Sequence, residues 1–511
     1  MSTVDRSSLD TSNTAPLVDA ATSIHESETD SLNIEVQKFE PEEALPEEHH
    51  ELSRTPSMLE RISTRLSFFN PHLKNERTNL VRQYLTIYLL MFVAILGIFS
   101  IYWGSSYRRQ TRYPNLKMLV VIEDDESFGG HDPIIGDTIR NILNTPQAQQ
   151  LGGWKIQNTT EFRQEAEKHN NTVFEEVERQ IHHQLYWSSI YVAKNATGQY
   201  YDYIMNEDST TNLSSLIVSV YETGRDFLNM NSYVTPNVAK IGSMWLRSQN
   251  NLSELFSDET FNVQQATKLS TPIAFTLDDK RPFTDPVLVA PSQVGLIYII
   301  ILTFFQVNLF GEVNQKVAKL NLKPSHFVIY RLLGSYISYF VISLGYSLVT
   351  LAFQVDFNKA FGKSGFLVYW MFSYLTMISV GLVNEVMFMV LLMFAPFLVG
   401  FWLLFWVLIN ISPTFAPIAL VPKFYRFGYA MPIHNSYELT KVVFFDTYKG
   451  QMGRNIGILV AWIVISTIAY VAILKPFGMT MRDRAIKAKQ AEMATQEKVA
   501  KATAEEAKGQ V

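Results

Sequence analysis

The chain has 511 residues, a net charge of −5 and no cysteine. That excludes disulfides, thiolate metal sites, haem–thiol links and cysteine nucleophiles together. The small net charge hides a segregation: the tails and loops carry the charges, and long apolar runs carry almost none.

Residues 1–57 hold thirteen Asp/Glu against three Lys/Arg, with many Ser and Thr and no apolar periodicity. Such a segment buries too little apolar surface to offset its ordering entropy, so a disordered cytoplasmic tail is expected, open to cytoplasmic regulators. Ser57 and Ser67 follow Arg54 and Arg65 at short spacing, which suits basic-directed phosphorylation, though a solvated tail of this composition carries such serines anyway. Leu59, Ile62, Leu66 and Phe69 then recur at helical spacing beside Arg61 and Arg65. This predicts a juxtamembrane amphipathic helix within 58–83, lying on the membrane or packed on protein.

Six apolar runs follow: Tyr84–Trp103, Val287–Phe310, Leu332–Phe353, Phe366–Val383, Val386–Ile411 and Asn455–Leu474. Each is long enough as a helix to cross about 30 Å of hydrocarbon. Backbone in lipid must satisfy its own hydrogen bonds, so helices are the expected form. The expected fold is a polytopic α-helical membrane protein. Six transmembrane helices carry an extracytoplasmic α/β domain, residues 108–286, between helices 1 and 2. A five-helix membrane domain over 287–474 and a charged cytoplasmic helical tail over 475–511 complete it. The acidic N-terminus reads as neither signal nor transit peptide, which makes the first run an uncleaved signal anchor.

Within the insert, strands are predicted at Lys117–Ile122, Trp154–Gln157, Ser188–Ala193 and Pro272–Leu277. Helices are predicted at Pro133–Leu143, Val173–Leu185 and Leu213–Leu228. Basic residues near the span ends almost balance across the membrane, so they do not fix the orientation. N-glycosylation acceptor motifs break the tie. Asn158, Asn170, Asn195, Asn212 and Asn251 all fall in the insert and neither tail has one, which predicts an outward insert with both termini cytoplasmic.

Several motifs fail. Phe361-Gly362-Lys363-Ser364 resembles the end of a phosphate-binding loop, but Phe357 stands where the first glycine belongs. His182 and His183 are adjacent, so on a helix they point about 100° apart and cannot share an ion unaided. A solvated pair is expected. No nucleophile elbow appears. Neither an enzyme, a cofactor, a metal site nor a nucleic-acid partner is therefore expected.

Glu385 is the sole acidic residue between Phe366 and Val421. With Asn384 it marks either a turn between the fourth and fifth runs, or a polar path with Gln306 and Asn308. Asn410 extends that path between the second and fifth runs. Arg331, near a span end, is expected to snorkel to the interface.

After Ile411 the chain is too aromatic for a free loop and too rich in proline to span. Pro422-Lys423-Phe424-Tyr425-Arg426-Phe427-Gly428-Tyr429-Ala430-Met431-Pro432 suits helical pieces at the outer interface, packed onto the soluble domain or not. With one span, a large outer domain and five further spans, this segment resembles the fungal nitrosoguanidine-resistance membrane proteins. It is more distantly similar to the membrane domain of type-2 ABC exporters and to the bacterial phage-infection-protein group. The resemblance covers about residues 80–480. It implies a plasma-membrane or endoplasmic reticulum protein that aids tolerance of toxic compounds, by exporting amphiphilic small molecules or altering lipid distribution. In those exporters the loop occupied here by Glu312–His326 sits on an ATPase. A non-transporting regulator or scaffold sensing membrane lipids is the other expectation.

Overall fold

A computed structural model describes residues 67–508, apart from residues 130–131, 207, 258 and 321. The acidic tail and the expected helix around Leu59, Arg61, Ile62 and Arg65 lie outside the described residues, as do Arg54 and Ser57. The first long helix, α1, runs Lys74–Ala94. It continues through a π segment, Ile95–Phe99, to Ser106, and is long and apolar enough to cross a membrane.

The insert folds as a three-layer α/β unit. Its elements in order are β1 (Lys117–Ile122), α2 (Ile134–Asn144), β2 (Gly153–Ile156), α3 (Thr159–Lys168) and α4 (Val173–His182). Then come β3 (Ser189–Val192), α5 (Ala196–Met205), β4 (Ile217–Tyr221), α6 (Thr235–Ser248) and β5 (Thr276–Asp279). The sheet order is β2-β1-β3-β4-β5, parallel except between β3 and β4. Because successive strand residues point to opposite faces, Met118, Val120 and Ile122 join one core with Ile135, Ile139 and Trp245. Leu119 and Val121 join the other with Phe162, Val177 and Ile181. A central strand covered on both faces must be apolar throughout.

Two sequence expectations change here. The segment Leu213–Leu228, expected to be helical, contains β4, and all five of its residues are buried. A short run buried on both faces has no alternation, so periodicity cannot separate strand from helix. The last strand lies at Thr276–Asp279 rather than Pro272–Leu277.

The helices that follow the insert are α7 (Gly295–Leu309), α8 (Pro324–Ala352), α9 (Gly365–Phe394), α10 (Val399–Ile411), α11 (Pro432–Phe445) and α12 (Met452–Lys508). Among the described residues five helical segments are long and apolar enough to span: Pro71–Ser106, Pro286–Ala318, Pro324–Ala352, Asn358–Phe394 and Lys449–Glu497. The expected fifth run, Val386–Ile411, is divided. Its first part completes α9, and the rest belongs to a shorter apolar helix, Pro396–Ile411. The turn expected at Asn384-Glu385 is therefore absent; both residues are buried within α9. The break comes at Ala395 (φ −152°, ψ 71°), just before Pro396. Proline pushes its predecessor out of helical geometry and has no N–H to continue the ladder. α9 forms the centre of the bundle, with Met377, Ile378, Val380 and Leu382 packed among Leu296, Ile299 and Tyr339. Gly381 is required there, because a Cβ at that position would fall 2.4 Å from the Tyr339 ring.

Candidate functional site

The polar residues of α8 recur every four positions: Arg331, Ser335, Tyr339, Ser343 and Ser347. That spacing puts them on one helical face, and the face meets α9 at Glu385, which is 2 % exposed. Tyr339 Oη donates to Glu385 Oε1 at 2.8 Å, and Ser335 Oγ to Oε2 at 2.9 Å. Arg331 Nη2 stands 3.5 Å from Oε2, with its guanidinium 5.8 Å from the Tyr470 ring centre. Gln306 Oε1 lies 3.3 Å from Tyr339 Oη. The hydroxyl has one proton, so the nearer carboxylate takes it.

Of the path expected from the sequence, Gln306 and Glu385 thus meet through Tyr339. Asn308 does not join them: it is exposed, and its amide donates to Phe304 O on its own helix. Asn410 is buried elsewhere, with Oδ1 accepting from the Ile433 backbone at 3.4 Å in the first turn of α11. Arg331 is corrected too. Its side chain is 13 % exposed, because the buried carboxylate draws it inward instead of leaving it to snorkel. Asn384, next to Glu385, ties three helices together: Nδ2 donates to Thr303 Oγ1 on α7 at 3.0 Å, and Trp402 Nε1 on α10 donates to Oδ1 at 3.0 Å. Another face of α8 lines an apolar groove of about 520 Å³, with Leu332, Leu333, Tyr336, Ile337 and Phe340 on one side and Tyr374 on the other.

The aromatic segment before α11 packs onto the soluble domain and the end of the first span. Tyr425 Oη donates to Ile101 O at 2.6 Å, Arg112 to Leu420 O, Asn115 to Ala419 O and Asn229 to Phe415 O. Gly428 fits against Pro413, and Pro432 opens α11. Phe424, Arg426 and Tyr429 remain exposed.

Helix α11 itself is buried along nearly its whole length despite its polar sequence. Lys441 pairs with Glu438 at 2.8 Å and lies over the Tyr437 ring. Tyr437 Oη is 3.4 Å from Asp226 Oδ1, in the soluble-domain segment that follows β4. A Cβ at Gly224 would fall 2.6 Å from that of Phe445, so domain and helix touch closely. Burial pushes the Asp226 carboxyl up and the His434 imidazole down to about 4. Burial also opposes the charge of Glu438, but Lys441 beside it holds its carboxyl below the ordinary range. His182 and His183 are not a solvated pair. His182 Nδ1 contacts Glu222 Oε1 at 2.9 Å, while His183 stacks on Tyr448 with ring centres 4.5 Å apart. Among the described residues no cluster of metal-ligating side chains occurs.

In the soluble domain the sheet reverses its winding at β1, since β2 and β3 flank it. The crevice beyond the ends of such strands is where α/β sheets bind ligands. Here it is filled by Asp124, which is fully buried. Its carboxylate accepts from Gly136 N at 2.9 Å, Thr197 N at 3.0 Å and Thr197 Oγ1 at 2.6 Å. The protein's own anion thus occupies the first turns of α2 and α5, where a phosphate would otherwise bind.

Comparison with known proteins agrees with a membrane architecture. Residues 87–468 match the family described as Protein of unknown function (DUF3533). An uncharacterized endoplasmic reticulum membrane protein of Saccharomyces cerevisiae is 34% identical over 418 residues, covering 78% of this chain and 81% of that protein. No solved structure matches. The family match spans most of the chain, from the first membrane helix into the last, and the chain belongs to the DUF3533 family.

Proposed function

We propose that this protein is a transporter-like membrane protein that moves amphiphilic molecules, or redistributes lipid, between the two leaflets and so contributes to tolerance of toxic compounds. One observation carries the reading: the Arg331–Glu385 pair, with Ser335, Tyr339 and Gln306, lies buried among apolar helices. Ionisable groups inside a membrane bundle are costly and mark substrate or ion pathways. At about 1.5 Å per residue, Glu385 sits roughly 14 Å from the end of α9. With the insert outward, that depth is in the cytoplasmic half of the bilayer. The cation stands at 3.5 Å, long for a charge-assisted bond, and the other donors are single hydroxyls. A headgroup can therefore exchange with these partners one at a time. The apolar groove on α8 suits the hydrocarbon part of the same molecule. Substrates would be membrane lipids and amphiphilic small molecules moving downhill, with no cofactor and no catalytic step.

The test uses purified full-length protein in liposomes containing a fluorescent phospholipid. Transport predicts faster exposure of the label to an external quencher, and Glu385→Gln slows it. Equal rates with and without protein would end the proposal.

A second reading, a non-transporting regulator, has its own observation. Helix α11 buries charged side chains between the soluble domain and the bundle, an arrangement suited to passing a signal from one to the other. An inert protein in liposomes, alongside a tolerance defect in deleted cells, favours it. For residence, of the two membranes that the resemblance implies, the relative's printed name favours the endoplasmic reticulum. Imaging a tagged chain against markers of each membrane decides between them.

A further inference from the structure

We propose that the 108–286 domain carries N-linked glycans at Asn158, Asn170, Asn212 and Asn251, and none at Asn195. All five positions have the Asn-x-Ser/Thr acceptor pattern, so the sequence alone treats them alike. Their surroundings differ.

A glycan is bulky and hydrated and has to project into water. At four motifs both the asparagine and the hydroxyl residue two positions on are exposed: Asn158 with Thr160, Asn170 with Thr172, Asn212 with Ser214 and Asn251 with Ser253. Asn158 and Asn212 use Oδ1 to accept backbone N–H groups, from Glu161 at 3.2 Å and Ser214 at 3.0 Å. A cap made through the oxygen leaves Nδ2, the atom that is glycosylated, free to carry the sugar.

Asn195 is different. It is half-buried, and Ala196 and Thr197 are fully enclosed. Thr197 donates both its N–H and its hydroxyl to Asp124. The left-handed backbone is shared with Asn170 (φ 52° and 54°) and does not separate them, but the Asn195 side chain lies over the first turn of α5. A Cβ at Gly198 would lie only 2.6 Å from Asn195 Nδ2. A sugar on that nitrogen would have to lever the side chain off α5, next to the carboxylate that closes the crevice.

In the transfer step, the asparagine Nδ2 bonds to the anomeric carbon of a polyprenyl-pyrophosphate-linked oligosaccharide. The carbon–oxygen bond to pyrophosphate breaks, one amide proton passes to a base of the transferase, and polyprenyl pyrophosphate leaves. Nothing is oxidised or reduced. The donor and enzyme act on the lumenal side, so occupancy also fixes the domain on that side of the membrane. The proposal stands whether or not the protein transports lipid.

The experiment uses the full chain expressed in fungal cells, with membranes treated with an endoglycosidase. Four mobility steps are expected. Asn170→Gln and Asn251→Gln each remove one. For the two capping asparagines, Thr160→Ala and Ser214→Ala remove the motif while keeping the cap, and each also costs one step. Asn195→Gln leaves the ladder unchanged. Because a substitution at Asn195 could itself disturb folding, glycopeptide mass spectrometry of the unsubstituted chain reads occupancy directly. No enzyme-sensitive shift, or a glycan on Asn195, overturns the proposal; failure of any of the four named steps overturns that site.

Discussion

Two buried carboxylates show how the soluble domain and the membrane bundle differ. Asp124 accepts three hydrogen bonds of 2.6–3.0 Å, two of them from backbone amides fixed by helices. Glu385 is equally hidden but is held only by side chains, two hydroxyls and a guanidinium at 3.5 Å. Backbone donors cannot turn away without unwinding a helix, whereas hydroxyls and guanidinium groups rotate. The first site is closed by construction, whereas the function proposed above has the second exchange partners. Burial alone does not separate the two sites. The origin of the donors does.

That contrast can be broken most sharply at Asp124. Asp124→Ala orphans three buried donors, and at ~1–3 kcal/mol each we expect a loss of roughly 3–9 kcal/mol. It should appear as lower thermal stability and faster proteolysis of residues 108–286, whatever the transport rate. A stable Asp124→Ala domain would show that the crevice is not held shut by this residue.

Acid attacks the boundary between the two regions. Buried His434 has its pKa lowered from the ordinary 6.5 to about 4, so the unfolded chain binds the proton more readily. Its contribution is complete above about pH 6.5, falls as the pH drops, and is gone by about 4. Glu438, also lowered, adds a loss below its ordinary range. Asp226, raised by burial, acts in the opposite sense, its neutral form being favoured in the folded protein. At pH 5 the His434 effect is about 2 kcal/mol. Melting of the detergent-solubilised chain at pH 7 and pH 5 measures it, and His434→Gln should flatten the difference.

In the bundle, Glu385→Gln keeps the shape and the hydroxyl partners but removes the charge. We expect flux to fall about tenfold, or ~1.4 kcal/mol of barrier, with little change in abundance. Gln306→Ala should lower flux in the same assay and Asn308→Ala should not, since only Gln306 faces Tyr339. Equal effects of the two would remove the cluster from the path. The smallest effect is expected for Tyr425→Phe, which deletes the bond to Ile101 O and costs about 1 kcal/mol. It reads as slightly earlier melting with unchanged flux.

The membrane character and the alternating α/β insert were legible because each depends on local pattern. Long uncharged runs require helices in lipid, and the Lys117–Ile122 and Ser189–Val192 strands stand out as short β-branched stretches. Glu385 was legible as an exception among apolar residues. Its partners were less so, although Arg331, Ser335 and Tyr339 carried a usable signal in their four-residue spacing on an apolar helix. Asn308 was misread because it lies only two residues from Gln306. On a helix that separation is about 200°, which turns one inward and the other out.

Sequence by itself determined that long apolar helices stand on either side of a polar insert, and which residues carry unusual charge, since these follow from composition and period. Only tertiary structure decided that α9 runs unbroken through Asn384 and Glu385, that the polar helix α11 is buried, and that Asp124 closes the crevice. The reason is physical. A buried polar group is tolerable only where partners meet it, and those partners come from segments distant in the chain.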